Sequence, residues 1–180
     1  ASIMHLAWAQ VLSSVSGRRD VVFGTVLFGR MQGGAGSDRV LGLFINTLPL
    51  RIDIGEQSAQ QCVRDTHAQL TQLIRHEHAP LAIAQRCSGV IAPTPLFSSL
   101  LNYRHSTLPA DASAEARLAW EGIDILGSDS RTNYPFTLSV DDLGEGFLLT
   151  VQVGATIQGC LVFEYMRTAL ENLVEALEAT

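Results

Sequence analysis

Residues Leu41–Arg51 read LGLFINTLPLR, an apolar run interrupted by a carboxamide and a hydroxyl, then closed by Pro49 and Arg51. In an extended chain successive side chains alternate between faces. Phe44, Asn46, Leu48 and Leu50 then share one face, with Leu43, Ile45 and Thr47 on the other. That is the pattern of a strand lending one face to a core. An Asn buried there without partners would cost on the order of a few kcal/mol. Asn46 must therefore be satisfied by some partner. Pro49 cannot donate to a ladder and is read as the place where sheet pairing ends.

Working outward, DVVFGTVLFGR (Asp20–Arg30) is β-branched and apolar, a second buried strand. MQGGAGSD between the two reads as a glycine-rich loop. The chain opens on a helix in which Met4, Trp8, Val11 and Val15 keep helical spacing, with Gly17 placed to end it. Downstream, Ser58 caps a helix carrying Ala59, Cys62, Val63, Thr66, Leu70, Leu73 and Ile74 at intervals of three and four. It runs out at RHEHAP, since Pro80 disfavours helix at the residue before it. LAIAQRCSG reads as a short helix ended by Gly89, PLFSSLLNYRH as a third strand, DASAEARL as a loop, and LAWEGIDIL as weak alternation. NYPFTLSVDDLGEGFLLTVQVG is a hairpin whose Asp141 and Asp142 are read as turn residues. A closing helix carries Phe163, Met166, Leu170, Leu173, Val174 and Leu177 on one stripe. Helix and strand are mixed without strict βαβ alternation, so the expected class is an α/β sandwich, a mixed sheet covered by helices.

Composition narrows the function. The 180 residues are 47% apolar and 17% charged, enough for one core. The net charge of −6 argues against nucleic acid, whose binding rests on clustered bases. All twelve bases are Arg, which excludes P-loop chemistry, a pyridoxal Schiff base and lysine nucleophiles in this chain. Cys62, Cys87 and Cys160 lack CxxC spacing and are read as reduced, mostly buried thiols of a cytoplasmic protein. No apolar run approaches the roughly 18 residues that span a bilayer. Both ends fall inside helices, as expected of a piece excised from a longer polypeptide.

No complete active site is visible. GGAGSD lacks the third glycine of a dinucleotide loop and leads into another strand. No GxSxG occurs. His76 and His78 diverge on a helix and have no third ligand at zinc-like spacing, so no metal site is expected. His5, His67 and His105 read as exposed or hydrogen-bonded imidazoles.

Taken in order, DVVFGTVLFGR, LGLFINTLPLR, HEHAPLAIAQR, PTPLFSSLLNYRHS and TNYPFTLSVDDLGEGF resemble the C-terminal half of a nonribosomal peptide synthetase condensation domain. LGLFINTLPLR is similar to the family's G-x-F-[IV]-N-T-x-x-x-R motif at Gly42, Phe44, Asn46, Thr47 and Arg51. HEHAPLA keeps His76 and Pro80 of a histidine–glutamine–aspartate–x–proline–phenylalanine–glutamate motif, with Glu77, His78, Leu81 and Ala82 at the other defined places. Pro95–Phe97 matches the end of the next motif, without the Arg-Asp usual at its start.

The resemblance implies a chloramphenicol acetyltransferase-like fold over residues 1–180, one of two halves meeting around a tunnel. It implies peptide-bond formation between a donor thioester and an acceptor amine, both delivered on phosphopantetheine arms of upstream and downstream peptidyl carrier domains. An adenylation domain would be a neighbour, with neither nucleic acid nor membrane as partner. The family's His-His-x-x-x-Asp-Gly lies in the other half. This sequence has no adjacent histidines, so no catalytic residue is assigned here and the piece alone is expected to be inactive.

The residues implied for the tunnel or the seam between halves are Gly29, Arg30, Asn46, Thr47, Arg51 and Asn102. Asn46 either faces the tunnel or bonds neighbouring backbone and shapes the seam. Arg30 and Arg51 either pair with carboxylates of the other half or lie near the phosphopantetheine path. TVLFGRMQGG and LNYRHS are similar to the subtype that epimerizes the donor before condensing it. Epimerization alone, ester formation and a non-catalytic carrier-docking module are the alternative roles.

Overall fold

In the computed structural model, residues 1–30, 36, 40–105, 118, 121–123, 126 and 132–179 are described. Most of the expected loops MQGGAGSD and DASAEARL, and four residues of LAWEGIDIL, lie outside them. The elements in chain order are α1 (Ser2–Ser16), β1 (Asp20–Leu27), β2 (Asn46–Asp53), α2 (Ala59–Ile74), α3 (Leu81–Cys87), β3 (Ser99–His105), β4 (Phe136–Asp142), β5 (Phe147–Val153) and α4 (Gly159–Glu178). This is the α/β sandwich expected from the sequence.

The five strands form one sheet in the order β2-β1-β3-β4-β5. β1, β3 and β4 are parallel neighbours, and β2 and β5 flank them antiparallel. The carboxyl ends of the three parallel strands therefore share one edge. The start of β2 and the β4–β5 turn meet them there.

Alternation assigns the two faces. Val21, Phe23, Leu50, Ile52, Leu101, Leu138 and Val140 join the core beneath the helices. Gly24, Thr47, Pro49, Arg51, Asn102 and Thr137 point the other way. α1 is buried on nearly all sides because it lies between α2 and α4 on the sheet. Its Trp8 stacks on Phe136 at 4.9 Å and donates to Ser99 Oγ at 3.1 Å. His5 is also buried. Its Nδ1 lies 2.9 Å from the Ala1 carbonyl and must donate, so Nε2 accepts from Thr25 Oγ1 at 2.8 Å. Burial holds His5 neutral, its pKa lowered to about 4.

The caps follow the sequence. Gly17 takes the left-handed conformation at φ 67 and returns its N–H to Ser13 O at 2.9 Å. Ser58 Oγ accepts from Gln61 N at 3.3 Å.

Four expectations need correction. The strand expected from Leu41 begins at Asn46, and residues 41–45 are irregular. Pairing continues through Gly24↔Pro49 to Asp20↔Asp53. β2 is an edge strand, where a missing N–H costs the ladder nothing if it faces outward. Asp141 and Asp142 end β4 rather than sitting in the turn. Finally, Cys87 and Cys160 are exposed and Cys62 is half-buried: α3 buries none of its residues, and Cys62 packs only at the margin of the core.

No described helix is long and apolar enough to cross a membrane.

Candidate functional site at the carboxyl edge of the sheet

Asn46 is the first residue of β2, on the helix side. Its Nδ2 donates to Glu77 O at 2.9 Å and Ala79 O at 2.8 Å, and its Oδ1 accepts from Thr47 N at 2.9 Å. The carboxamide thus ties the edge strand to the α2–α3 loop, the segment HEHAP. Its obligation as a polar group in an apolar run is met by backbone. His76 and His78 hold no metal cluster with other ligands among the described residues. His78 Nε2 instead lies 3.7 Å from Oε1 of the buried Glu77.

Gly29 and Arg30 follow β1 at the same edge. Gly29 has φ 68, and a side chain there would run into the Phe44 carbonyl. Both facts demand glycine. Arg30 Nη2 donates to Val40 O at 2.9 Å and Gly42 O at 3.4 Å, and its guanidinium stands 5.0 Å from the Phe44 ring centroid. These contacts fix residues 40–44, yet Leu41 and Leu43 remain 97% and 92% exposed. Phe28, Ile45, Leu143, Phe147 and Leu148 are exposed at this edge too. An apolar rim of this kind marks an interaction surface.

Thr47 opens β2 on the outward face, and its methyl and the Phe97 ring fill the space over Gly24. Asn102 lies on the outward face of β3, where its Oδ1 is buried without a hydrogen-bond partner. Thr137 Oγ1, on neighbouring β4, is buried and unpartnered as well.

Arg51 sits apart from the other five. It lies five residues along β2 from Asn46, about 17 Å by strand rise. Its Nε and Nη2 hold Asp20 at 2.8 and 2.7 Å. The carboxylate expected from another half is thus supplied within the chain. That hydrogen-bonded ion pair holds the Asp20 carboxyl below its usual range. A groove of about 920 Å³, lined by Val21, Phe97, Phe136, Leu161 and Tyr165 among others, also opens at Arg51's end and contains none of the six candidates.

A polar cluster that sequence reasoning missed closes the carboxyl edge. Tyr103 donates to Asp142 Oδ2 at 2.6 Å, Gly144 N–H to Asp142 Oδ1 at 3.0 Å, and His105 Nδ1 stands 3.3 Å from Oδ2. Hydrogen bonds from Tyr103 first, then Gly144, hold the Asp142 carboxyl below its usual range. Burial first, then Asp142, pushes the Tyr103 phenol up to about 12. On the opposite face Arg104 and Asp141 form a two-pronged pair at 2.7 and 2.8 Å. The in-register pairing Tyr103↔Val140, Arg104↔Asp141, His105↔Asp142 creates these contacts. Only the pairing of segments more than thirty residues apart could have revealed them.

A mixed sheet with helices on one face and a polar, apolar-rimmed carboxyl edge defines an α/β fold of the acetyltransferase-like kind. The chain belongs to the condensation-domain family, whose model it matches over residues 1–178. It is 52% identical over all 180 residues to the malpibaldin synthetase of Mortierella alpina. To a linear gramicidin synthase of Brevibacillus parabrevis it is 35% identical over 138 residues, 76% of this chain. It spans only 3% of the length of each of these proteins. Among solved structures it resembles the condensation domain of the monacolin K polyketide synthase MokA. There the TM-score is 0.66 at 19% identity, covering 98% of this chain and 40% of that one. It also resembles holo-AB3403, a four-domain nonribosomal peptide synthetase bound to AMP and glycine. That TM-score is 0.71 at 16% identity, over 97% of this chain and 14% of the other.

Proposed function

We propose that this chain is the C-terminal part of a peptide-bond-forming condensation domain in a nonribosomal peptide synthetase. It would act on a donor acyl or peptidyl thioester and an acceptor aminoacyl thioester, each carried on a phosphopantetheine arm of a peptidyl carrier domain. An adenylation domain would lie in the same cytoplasmic assembly. The observation that carries this reading is the match along residues 1–178 to a family whose solved member is two and a half times as long, together with the apolar rim at one edge.

In this reading the carboxyl edge is one wall of the cleft and the other half is the second. Asn102 and Thr137 would face the substrate arms. Gly29, Arg30, Asn46 and Thr47 shape the rim. This wall positions two arms for attack, an effect that can exceed any single donated group. Inversion of the donor before condensation would be a variant of the same acyl transfer, read out by the stereochemistry of the product.

The test uses the full-length parent, its carriers charged by its own adenylation domains, with carrier-bound product read by mass spectrometry. Amide formation is expected. Asn102→Ala should lower its rate roughly tenfold or more with melting temperature nearly unchanged. Arg51→Ala, at the far end of β2, should leave the rate intact. A parent that charges its carriers but forms no amide would overturn the reading and favour a docking module; an ester product would reassign the bond formed.

A further inference from the structure

β5 is a free edge of the sheet: among the described residues its only strand neighbour is β4. The hairpin shows which of its backbone groups are spare. Leu143 N–H donates to Gly146 O at 2.9 Å at one end of the ladder, and Gly154 N–H to Pro135 O at 2.9 Å at the other. Bonded and non-bonded pairs alternate along an antiparallel ladder. Leu148, Thr150 and Gln152 therefore bond to their register partners Asp141, Ser139 and Thr137 on β4. The N–H and C=O groups of Phe147, Leu149, Val151 and Val153 point off the sheet.

Sheets guard such an edge with charge or proline. The opposite edge, β2, carries Pro49, Arg51 and Asp53. β5 reads FLLTVQV, without charge, proline or glycine. Phe147 and Leu148 are 56% and 55% exposed on its two faces. α4 packs beside this strand and continues the surface. At 3.6 residues per turn its exposed Phe163 and Val174 lie opposite Tyr165, which lines the groove beside Leu12 and Val15 of α1. Their flank of α4 thus faces away from α1, toward the free edge. Arg167 on the same flank is already held by Glu164 and Glu171.

We propose that β5 is a dimerisation edge: two copies of this chain join through it antiparallel, about a two-fold axis at Thr150, into one continuous sheet. The strand itself points to that occupant. In this register Phe147 lies opposite the partner's Val153, and Leu149 opposite the partner's Val151. Those are the residues whose backbone groups are spare, so every off-sheet donor and acceptor in the strand is met. The helix-side pairs are all apolar, and on the outward face Thr150 meets the partner's Thr150, a favourable cross-strand pair. No like charges face each other along the strand, and both helix layers fall on the same side of the joined sheet. A foreign peptide would find main-chain groups here but no charge to select it. The same patch used by both copies is the isologous contact of a two-fold dimer.

The experiment is sedimentation velocity on the full-length parent at about 1 μM, where an ordinary specific interface is populated. Wild type is expected to be dimeric. Thr150→Lys and Thr150→Glu each set like charges against one another at the axis, and each should weaken the dimer roughly tenfold or more. An equimolar mixture of the two variants should restore it, because Lys then meets Glu. Thr150 is exposed and turned away from the helices, so both variants should melt at the wild-type temperature. Amide exchange across Phe147–Val153 should be slower in wild type than in either variant alone, and slow again in the mixture. A monomeric wild-type parent overturns the proposal, as does a dimer that neither charge weakens or a mixture that does not re-form it. Slow exchange across β5 in a monomer also overturns it, and assigns the edge to another segment of the parent.

Discussion

Asn46 uses its whole carboxamide within the chain, with two N–H groups on loop carbonyls and its oxygen on the next backbone N–H. Asn46→Ala is expected to cost about 1–2 kcal/mol of stability, because two carbonyls lose their donors at a part-buried site. Asn46→Asp should cost more, since a carboxylate would then face both carbonyls. Urea denaturation of the parent condensation domain measures both. His5 provides the pH dependence. Its pKa is about 4 in the fold against 6.5 in the unfolded chain, so the unfolded state binds more protons between these values. Stability is complete above pH 6.5 and falls as pH drops toward 4, by about 3 kcal/mol at most. Thermal melts across that window should show the slope, and His5→Gln should flatten it. At this scale the sequence announced that Asn46 needed a partner, because a carboxamide in an apolar run always does. It did not name the partner, a loop thirty residues on. Thr137 gave no signal at all, because its place beside Leu100 comes from β3–β4 register.

Glycine and a capping serine decide how two elements end. Gly29→Ala would place a Cβ against the Phe44 carbonyl at φ 68, with no compliant side chain to yield. It is expected to cost about 1–3 kcal/mol and to loosen residues 40–44; hydrogen exchange of that segment in the parent would register the change. Ser58→Ala removes the acceptor for Gln61 N and should cost about 1 kcal/mol by the same denaturation assay. Helices and the hairpin were legible because their periodicity is set by burial and their ends by Gly17, Ser58, Pro80 and the Leu143–Gly146 turn. Residues 41–45 were misread as strand for a physical reason. Their apolar side chains continue the run into β2, yet the structure leaves most of them exposed, with Arg30 set against Phe44 and donating to two carbonyls. A sequence records that a side chain is apolar, and it is silent on which body covers it.

As a whole, the chain buries one face of its sheet under three helices and leaves an apolar rim where the parallel strands end. The two ends of the sheet differ in kind. One carries Asn46, Arg30, Asn102 and the Tyr103–Asp142–His105 cluster, while the other carries the Arg51–Asp20 pair and an apolar groove, with Thr137 between them on the outward face. The central claim is that the first end meets the rest of the condensation domain. Hydroxyl-radical footprinting of the native full-length parent tests it most directly. Leu41 and Leu43, almost fully exposed in this chain, are predicted to be strongly protected there, with Leu148 protected alongside them. If all three oxidise at the rate of free side chains while Leu161 and Tyr165 at the opposite groove are the ones protected, the seam lies at the wrong end and the account is contradicted.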